Sequence, residues 1–322
     1  MHHRTLGQGF TTSALGLGCM GMSEFYGPRD DATSMQVLHA AVEGGIDMLD
    51  TADTYGPHHN ETLIGNFLRH GASVKVATKF GIVRTAGEYR RSLDNSPAYI
   101  RAACEGSLRR LGREQIDLYY VHRISPDQPI EETMDVLSQL VKQGKIAHIG
   151  LCEVSAQTLR RAHAVYPVTA VQTEYSLWTR EVADSVLPTC RELGVGFVAY
   201  SPLGRGFLTG QIGQLDADDF RRSLPRFQAG AMGTNSQIAD RVAQVAARHG
   251  CTAAQVSLAW LLAQGPDIVP VPGTKRLRWL HDNIAAANVA LTPDELRDLD
   301  ALSTLSVAGE RYTPEGMKGL NA

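Results

Sequence analysis

The sequence predicts an α/β fold of the (β/α)8, or TIM, barrel class, with an N-terminal β-hairpin as a plug and an extra helix at the C-terminal end. Three observations carry this expectation. Short β-type apolar runs alternate with helix-period segments from end to end. There are eight such runs, the number that closes a parallel barrel. No linker or low-complexity stretch divides the 322 residues, so 1–322 reads as one domain.

The first pair of segments, Arg4–Leu6 and Phe10–Thr12 around Gly7-Gln8-Gly9, has the pattern of a hairpin. The barrel strands follow at Ala14–Gly18, Asp47–Asp50, Val74–Lys79, Asp117–His122, Ile146–Leu151, Ala170–Glu174, Val195–Tyr200 and Ile268–Val271. Amphipathic stretches separate them at Ala32–Glu43, Glu61–Arg69, Pro97–Leu111, Ile130–Lys142, Ala156–His163, Asp184–Leu193 and Ser236–His249. Arg276–Ala287 follows the eighth strand. Pro293–Ser303 then opens on Thr-Pro-Asp-Glu, which suits a helix N-terminus. The longest irregular region, Gly204–Asn235, lies after the seventh strand, on the face where barrel active sites form.

Gly16-Leu17-Gly18-Cys19-Met20-Gly21 matches a GxGxxG dinucleotide pattern, but that pattern needs its last glycine to open a helix. Met22–Asp30, with Gly27-Pro28, intervenes before helical periodicity begins, so a Rossmann reading is set aside. With 43% apolar residues the chain can bury a large core, and a formal charge of −3 offers no footprint for nucleic acid. The five cysteines are widely spread with no CxxC pair, which suits a reducing compartment rather than a disulfide framework or zinc site. No apolar run approaches the roughly 18 residues that span a membrane, and the first residues lack a signal-peptide apolar core. A cytoplasmic location is expected.

Polar residues at the C-terminal ends of barrel strands converge on one mouth. Here the second strand ends in Asp50, the third in Lys79 and the fourth in His122, with Tyr55 five residues beyond Asp50. Each alone could be an ordinary ion pair or solvated group; four on consecutive strand ends point to chemistry. A free phenol titrates at about 10, and a nearby ammonium such as Lys79 favours its ionised form. Asp50 supplies the counter-charge, and His122 can bond a carbonyl oxygen or the tyrosine hydroxyl. Asp53 is the weaker acid candidate, since it stands beyond the strand. Met20, Met22, Phe25, Tyr26 and Trp178 are candidates for an apolar pocket wall. His58-His59 lacks metal-ligand spacing.

The segments Leu49–Gly56, Thr78–Gly81 and Tyr119–Arg123 resemble the three catalytic segments of the aldo-keto reductase superfamily, in its bacterial and plant branch related to the potassium-channel β subunit. The likeness continues through Gly144–Ile146, Val171–Tyr175, Tyr200–Gly204 and Pro272–Lys275. It implies a catalytic tetrad of Asp50, Tyr55, Lys79 and His122 reducing a small-molecule aldehyde or ketone with NADPH. It also implies that Gln172 meets the nicotinamide carboxamide and Tyr200 stacks on its ring. Ser201, Leu203, Gly204 and Arg205 would follow the pyrophosphate, and Gly273, Thr274, Lys275, Asp282 and Asn283 the adenosine end. Where this branch has a serine bonding the carboxamide, this chain has Cys152, a poorer hydrogen-bond partner.

Lys275, Arg276 and Arg278, near the start of a helix, are the expected holders of a 2′-phosphate and so of a preference for NADP. Two further readings stand beside the reductase: a Schiff-base lyase using Lys79, and a cofactor-binding regulatory subunit that turns over slowly.

Overall fold

Eight short parallel strands define the architecture of the computed structural model, which describes residues 1–85, 91–217 and 219–320. The strands are β1 His3–Thr5, β2 Thr11–Ser13, β3 Leu17–Gly18, β4 Met48–Asp50, β5 Lys75–Phe80, β6 Ile82–Arg84, β7 Arg91–Leu93, β8 Ile116–Val121, β9 Ile146–Cys152, β10 Ala170–Glu174, β11 Gly196–Tyr200 and β12 Ile268–Pro270. The parallel sheet runs β3-β4-β5-β8-β9-β10-β11-β12. Its two ends meet: Gly16 N–H donates to Pro270 O at 3.0 Å and Gly18 N–H to Pro272 O at 3.2 Å. This approach requires glycine, since a Cβ on Gly18 would lie 2.9 Å from Val271 O and one on Gly273 2.9 Å from Gly18 O.

The helices are α1 Asp31–Glu43, α2 His59–Leu68, α3 Pro97–Leu111, α4 Ile130–Lys142, α5 Ala156–Val165, α6 Val186–Leu193, α7 Ala229–His249, α8 Ala253–Ala263, α9 Leu277–Ala285, α10 Pro293–Asp300 and α11 Pro314–Met317. They pack an outer core against the sheet. In α4, for example, Ile130, Met134, Leu137 and Leu140 form the buried stripe. Helix α3 is bounded by its sequence: Ser96 caps Tyr99 N–H, Pro97 takes the first turn, and Gly112 leaves in the left-handed conformation.

The hairpin β1–β2 closes the floor. Leu6 and Phe10 from its turn are buried with Met48, Ala77, Leu118, Ala170, Val198 and Val269 in the barrel interior. Gly7 N–H donates to Thr169 O, just before β10, and Arg4 bonds the carbonyls of Leu262, Gly265 and Ile268 before and at the start of β12. The plug and the C-terminal helix, α10, are where the sequence places them.

Four local expectations differ. The first barrel strand is paired only at Leu17–Gly18, because Ala14 N–H is taken by His2 O of the hairpin. Helix α7 begins at Ala229, seven residues before the expected Ser236, through a glycine-rich turn whose propensity argues against helix. Helix α8 was not expected: it is apolar on nearly all sides and buried, so no polar face marks its period, although Thr252 and Gln255 form a capping box at its start. The β6–β7 hairpin, antiparallel and outside the barrel, is the fourth.

Phe10 is 4% exposed and meets His148 edge-on at 5.1 Å between ring centres. Phe10→Ala should therefore cost about 3–5 kcal/mol in urea unfolding. The surviving folded protein should keep its site geometry, since the floor lies opposite the strands' C-terminal ends. An unchanged unfolding midpoint would remove the hairpin from the core.

Candidate active site

Asp50 is the last residue of β4, Lys79 the last but one of β5, and His122 the first after β8. The chain leaving β4 stays pinned to β5, with Thr51 N–H on Ala77 O and Asp53 N–H on Lys79 O, and this turns Tyr55 back over the mouth. Lys79 Nζ donates to Asp50 Oδ1 at 2.5 Å, Thr51 O at 2.8 Å and Tyr55 Oη at 3.3 Å. Gln172 Nε2, from β10, donates to the second Asp50 oxygen at 2.6 Å. The Tyr55 and His122 rings meet edge-on, 5.7 Å between centres. The four residues singled out in the sequence are thus brought together, with Lys79 fully buried behind the other three.

Burial opposes the Lys79 charge, but Asp50 and the neighbouring Tyr55 outweigh it and raise its pKa above the ordinary lysine value. Burial raises the Tyr55 pKa above that of a free phenol; Lys79 works against this and Asp50 with it. Lys79 favours the phenolate, the direction its charge implies, and desolvation of the ring is the larger effect. His122 is held well below the usual histidine range by burial, then by Arg123 and Lys79, so it is neutral. Its Nδ1 has no hydrogen-bond partner among the described residues.

A cavity of about 600 Å³ opens from this cluster. Asp50, Tyr55 and His122 line it, together with Cys152, Gln172, Tyr200, Ser201, Leu203, Arg205, Gly273, Thr274, Lys275, Asp282 and Asn283. Gly204 and Arg278 do not. Gly204 is a glycine because a Cβ would lie 2.5 Å from the Trp178 ring, and Arg278 is exposed and stacks on Trp279. Cys152 is buried, and burial pushes its thiol up to about 12. Of the apolar wall candidates, Met20, Phe25 and Tyr26 line the cavity. Met22 is core, and Trp178 packs on Phe207.

Several lining groups could hold an anionic ligand. Leu203, at φ −101° and ψ 17°, is followed by Gly204 at φ +56°, a turn that can present backbone N–H groups to an anion. Beside them the buried Arg205 Nη2 has no hydrogen-bond acceptor among the described residues, with the Glu174 carboxylate oxygen 3.6 Å away. At the far end Lys275 Nζ bonds the carbonyls of Tyr26 and Pro28 and so bridges to the first βα-loop. Asp282 accepts from Thr252, the cap of α8.

Several lining residues were not legible as such. Thr252, Ala253 and Ala254 belong to the unexpected α8. Arg311 donates to Glu153 Oε1 and Tyr200 Oη, and Tyr312 Oη lies 3.0 Å from Tyr200 Oη, so the C-terminal segment forms one wall. Tyr200 Oη in turn donates to Glu153 at 2.6 Å. Burial works against the Glu153 charge, but Arg311 and Arg123 hold its pKa below the ordinary value. No sequence spacing links residue 311 to residue 153. Of the histidine pair, His59 is hydrogen-bonded to Ser23 and Asp31, and no group of three or more metal-ligand side chains occurs among the described residues.

The chain belongs to the aldo/keto reductase family, whose model matches residues 14–304. It is accordingly an oxidoreductase of small-molecule carbonyl chemistry, and members of the family generally use NAD(P)H. Among solved structures it is similar to the glycerol dehydrogenase AKR11B4 from Gluconobacter oxydans, at 28% identity and TM-score 0.86, covering 93% of this chain and 94% of that one. It is also similar to the thermostable aldo-keto reductase Tm1743 in complex with the inhibitor epalrestat, at 28% identity and TM-score 0.77 over 94% of this chain and 100% of that one. The aldo-keto reductase AKR11C1 from Bacillus halodurans, in its holo form, matches at 25% identity and TM-score 0.78 over 97% and 99%. No helix among the described residues is long and apolar enough to cross a membrane.

Asp53, the second acid of the loop, is buried away from the cavity, with Oδ1 unpartnered and Oδ2 3.5 Å from Tyr99 Oη. Burial first, and the Glu61 carboxylate second, push its pKa up to about 8. The folded state therefore keeps a proton that an unfolded aspartate loses near pH 4. This contribution to stability is complete below about pH 4 and declines as pH rises towards 8. Asp53→Asn removes the titration. Over that window its stability relative to wild type should improve by on the order of a few kcal/mol, read from urea unfolding at pH 5 and 8.5. Parallel pH profiles for the two proteins would contradict the shift.

Proposed function

We propose that this enzyme reduces an aldehyde or ketone to the alcohol with NADPH, with Tyr55 as proton donor. The observation that carries the reading is the buried chain Gln172–Asp50–Lys79–Tyr55 opening beside a neutral His122 into one long cavity. Bound NADPH supplies the hydride. His122 orients the substrate oxygen with a hydrogen bond, and Tyr55 gives that oxygen its proton. Lys79, 3.3 Å from the hydroxyl, stabilises the phenolate left behind. Asp50 holds Lys79 in place, and Gln172 holds Asp50.

Tyr200, Ser201, Leu203, Arg205, Gly273, Thr274, Lys275, Asp282 and Asn283 would hold the cofactor, with Cys152 and Gln172 at the carboxamide. The amide nitrogen of Gln172 is already engaged by Asp50, and Cys152 offers only a weak partner. The grip on the cofactor therefore rests mainly on the pyrophosphate and adenosine ends. Lys275 and Arg276 line the cavity where a 2′-phosphate would add charge-assisted bonds; Arg278 does not reach it.

A Schiff-base mechanism is disfavoured by the same geometry. Lys79 spends its donors on Asp50, Thr51 and Tyr55 and stays charged, whereas an imine requires the free amine.

Three measurements follow from this reading. Tyr55→Phe should lower kcat for aldehyde reduction by about 10²–10⁴-fold and leave NADPH affinity nearly unchanged; near wild-type turnover would refute the assignment. Borohydride with an aldehyde should leave no adduct on Lys79 by mass spectrometry; a stoichiometric adduct would restore the lyase. NADPH should bind roughly tenfold to hundredfold tighter than NADH, from about 1.5–3 kcal/mol per charge-assisted bond. Lys275→Ala with Arg276→Ala should erase that preference and Arg278→Ala should not, by fluorescence titration of both cofactors. Equal wild-type affinities would sink the claim.

A further inference from the structure

Most cations around the cavity are already paired. Lys79 has Asp50, Arg84 has Glu24 and the Thr54 carbonyl, and Arg311 has Glu153. Arg123 is different. It directly follows His122, it lines the cavity, and it is 6% exposed. Among the described residues the only hydrogen bond of its guanidinium runs from Nη1 to the carbonyl oxygen of His122, at 2.7 Å. Among the described residues its Nε, buried, has no acceptor and its side chain forms no ion pair. Glu153, a carboxylate that acts on it electrostatically, is bonded instead by Arg311 and Tyr200.

This is an expensive arrangement unless something completes it. A guanidinium cannot shed its proton to escape burial. A buried charge without a partner is strongly destabilising. The position is also built rather than incidental. Asn95 Nδ2 donates to the Arg123 carbonyl at 3.2 Å, while Asn95 Oδ1 accepts from Ser125 N–H at 2.6 Å. Gly81, at φ +109°, makes room for this clamp: a Cβ there would lie 2.8 Å from Asn95 Nδ2 and 3.1 Å from Arg123 O. The loop leaving β8 is thus locked from both sides, and it holds a donor fork beside the residue assigned to orient the carbonyl.

We propose that Arg123 is a specificity residue, selecting carbonyl substrates that carry an oxyanion group, a carboxylate or a phosphate, near the reacting carbon. The proposal rests on the carbonyl-reductase reading and names the substrate class of that same site. The planar fork can meet two oxygens of such a group through parallel N–H bonds, a geometry an ammonium cannot reproduce. Arg123 is also, after burial, the next cause of the low His122 pKa. An acidic substrate would add to the Arg123 guanidinium the hydrogen-bonded counter-charge that Glu153 supplies only at a distance.

The test compares matched aldehydes with NADPH: 4-oxobutanoate against butanal, and glycolaldehyde phosphate against glycolaldehyde. Wild type should show a kcat/KM preference for the acidic member of at least one pair of about tenfold or more, residing mainly in KM. The pair that shows it identifies carboxylate or phosphate as the group read. Arg123→Gln should bring the ratio near one, and Arg123→Lys should keep part of it while preserving the charge. No preference in wild type, a preference that survives Arg123→Gln, or equal loss on acidic and neutral members would overturn the proposal.

A binding arm separates this from failure of the reductase reading. Succinate and inorganic phosphate are titrated calorimetrically into wild type and both variants. Should no aldehyde be reduced, the reductase reading fails, and an anion affinity at least about tenfold weaker in Arg123→Gln still supports an oxyanion site. Equal affinities overturn it.

Discussion

A lysine ammonium enclosed at the top of a barrel can keep its charge only if other groups replace the water it has lost. Lys79 is 0% exposed, and its three donors go to Asp50, the Thr51 carbonyl and the Tyr55 hydroxyl. Much of the site's geometry follows from that need. Asp50 must end β4 beside β5, and the chain must turn at Thr51 so that a carbonyl points back at the ammonium. Tyr55 must then return over the mouth to supply the last acceptor. The free oxygen of Asp50 draws in Gln172 from β10, across the barrel interior. One ion pair therefore fixes the relative positions of three strands and a loop. Removing either partner would leave a buried charge uncompensated.

A second polar network does the same for the C-terminal segment. Glu153 takes bonds from Tyr200, Arg311 and the backbone N–H of Glu174, although its own backbone sits at φ +54°, unusual for a side chain of this size. Arg311 is thereby anchored over Tyr200, with Tyr312 beside it. The ring proposed to stack on the cofactor is held by its hydroxyl from a segment more than a hundred residues away. The floor hairpin and this C-terminal wall close opposite ends of one barrel by different means, apolar packing below and charge pairing above.

The barrel was legible because its strands and helices carry their periods locally: β10, α3 and α4 have the same bounds in sequence and structure. The clustering of Asp50, Tyr55, Lys79 and His122 was legible because strand ends converge by topology, so three residues at strand ends and one loop tyrosine needed no distance information. What was not legible depends on contacts between distant segments or on missing contrast. Helix α8 has no polar face to reveal it. Arg311 and Arg123 acquire meaning only from what surrounds them: one is paired with Glu153, the other is left unpaired. Arg278, prominent in a basic run, is exposed and lies over the Trp279 ring, a placement that charge pattern alone does not reveal.

The two acids of the loop motif show why residue type alone cannot assign a role. Asp50 and Asp53 are three positions apart and both nearly excluded from solvent, at 4% and 3% exposure. Asp50 meets an ammonium and an amide N–H, one on each oxygen. Asp53 meets Tyr99 across 3.5 Å and the like charge of Glu61, whose carboxylate is already committed to Thr78 and Arg110. The first environment supplies a donor to each carboxylate oxygen, and the second opposes ionisation. One acid consequently serves as the counter-ion of the site, while the other stays a proton carrier sealed behind it. That division is set by which neighbour the fold supplies, a cation for one carboxyl and a second carboxylate for the other.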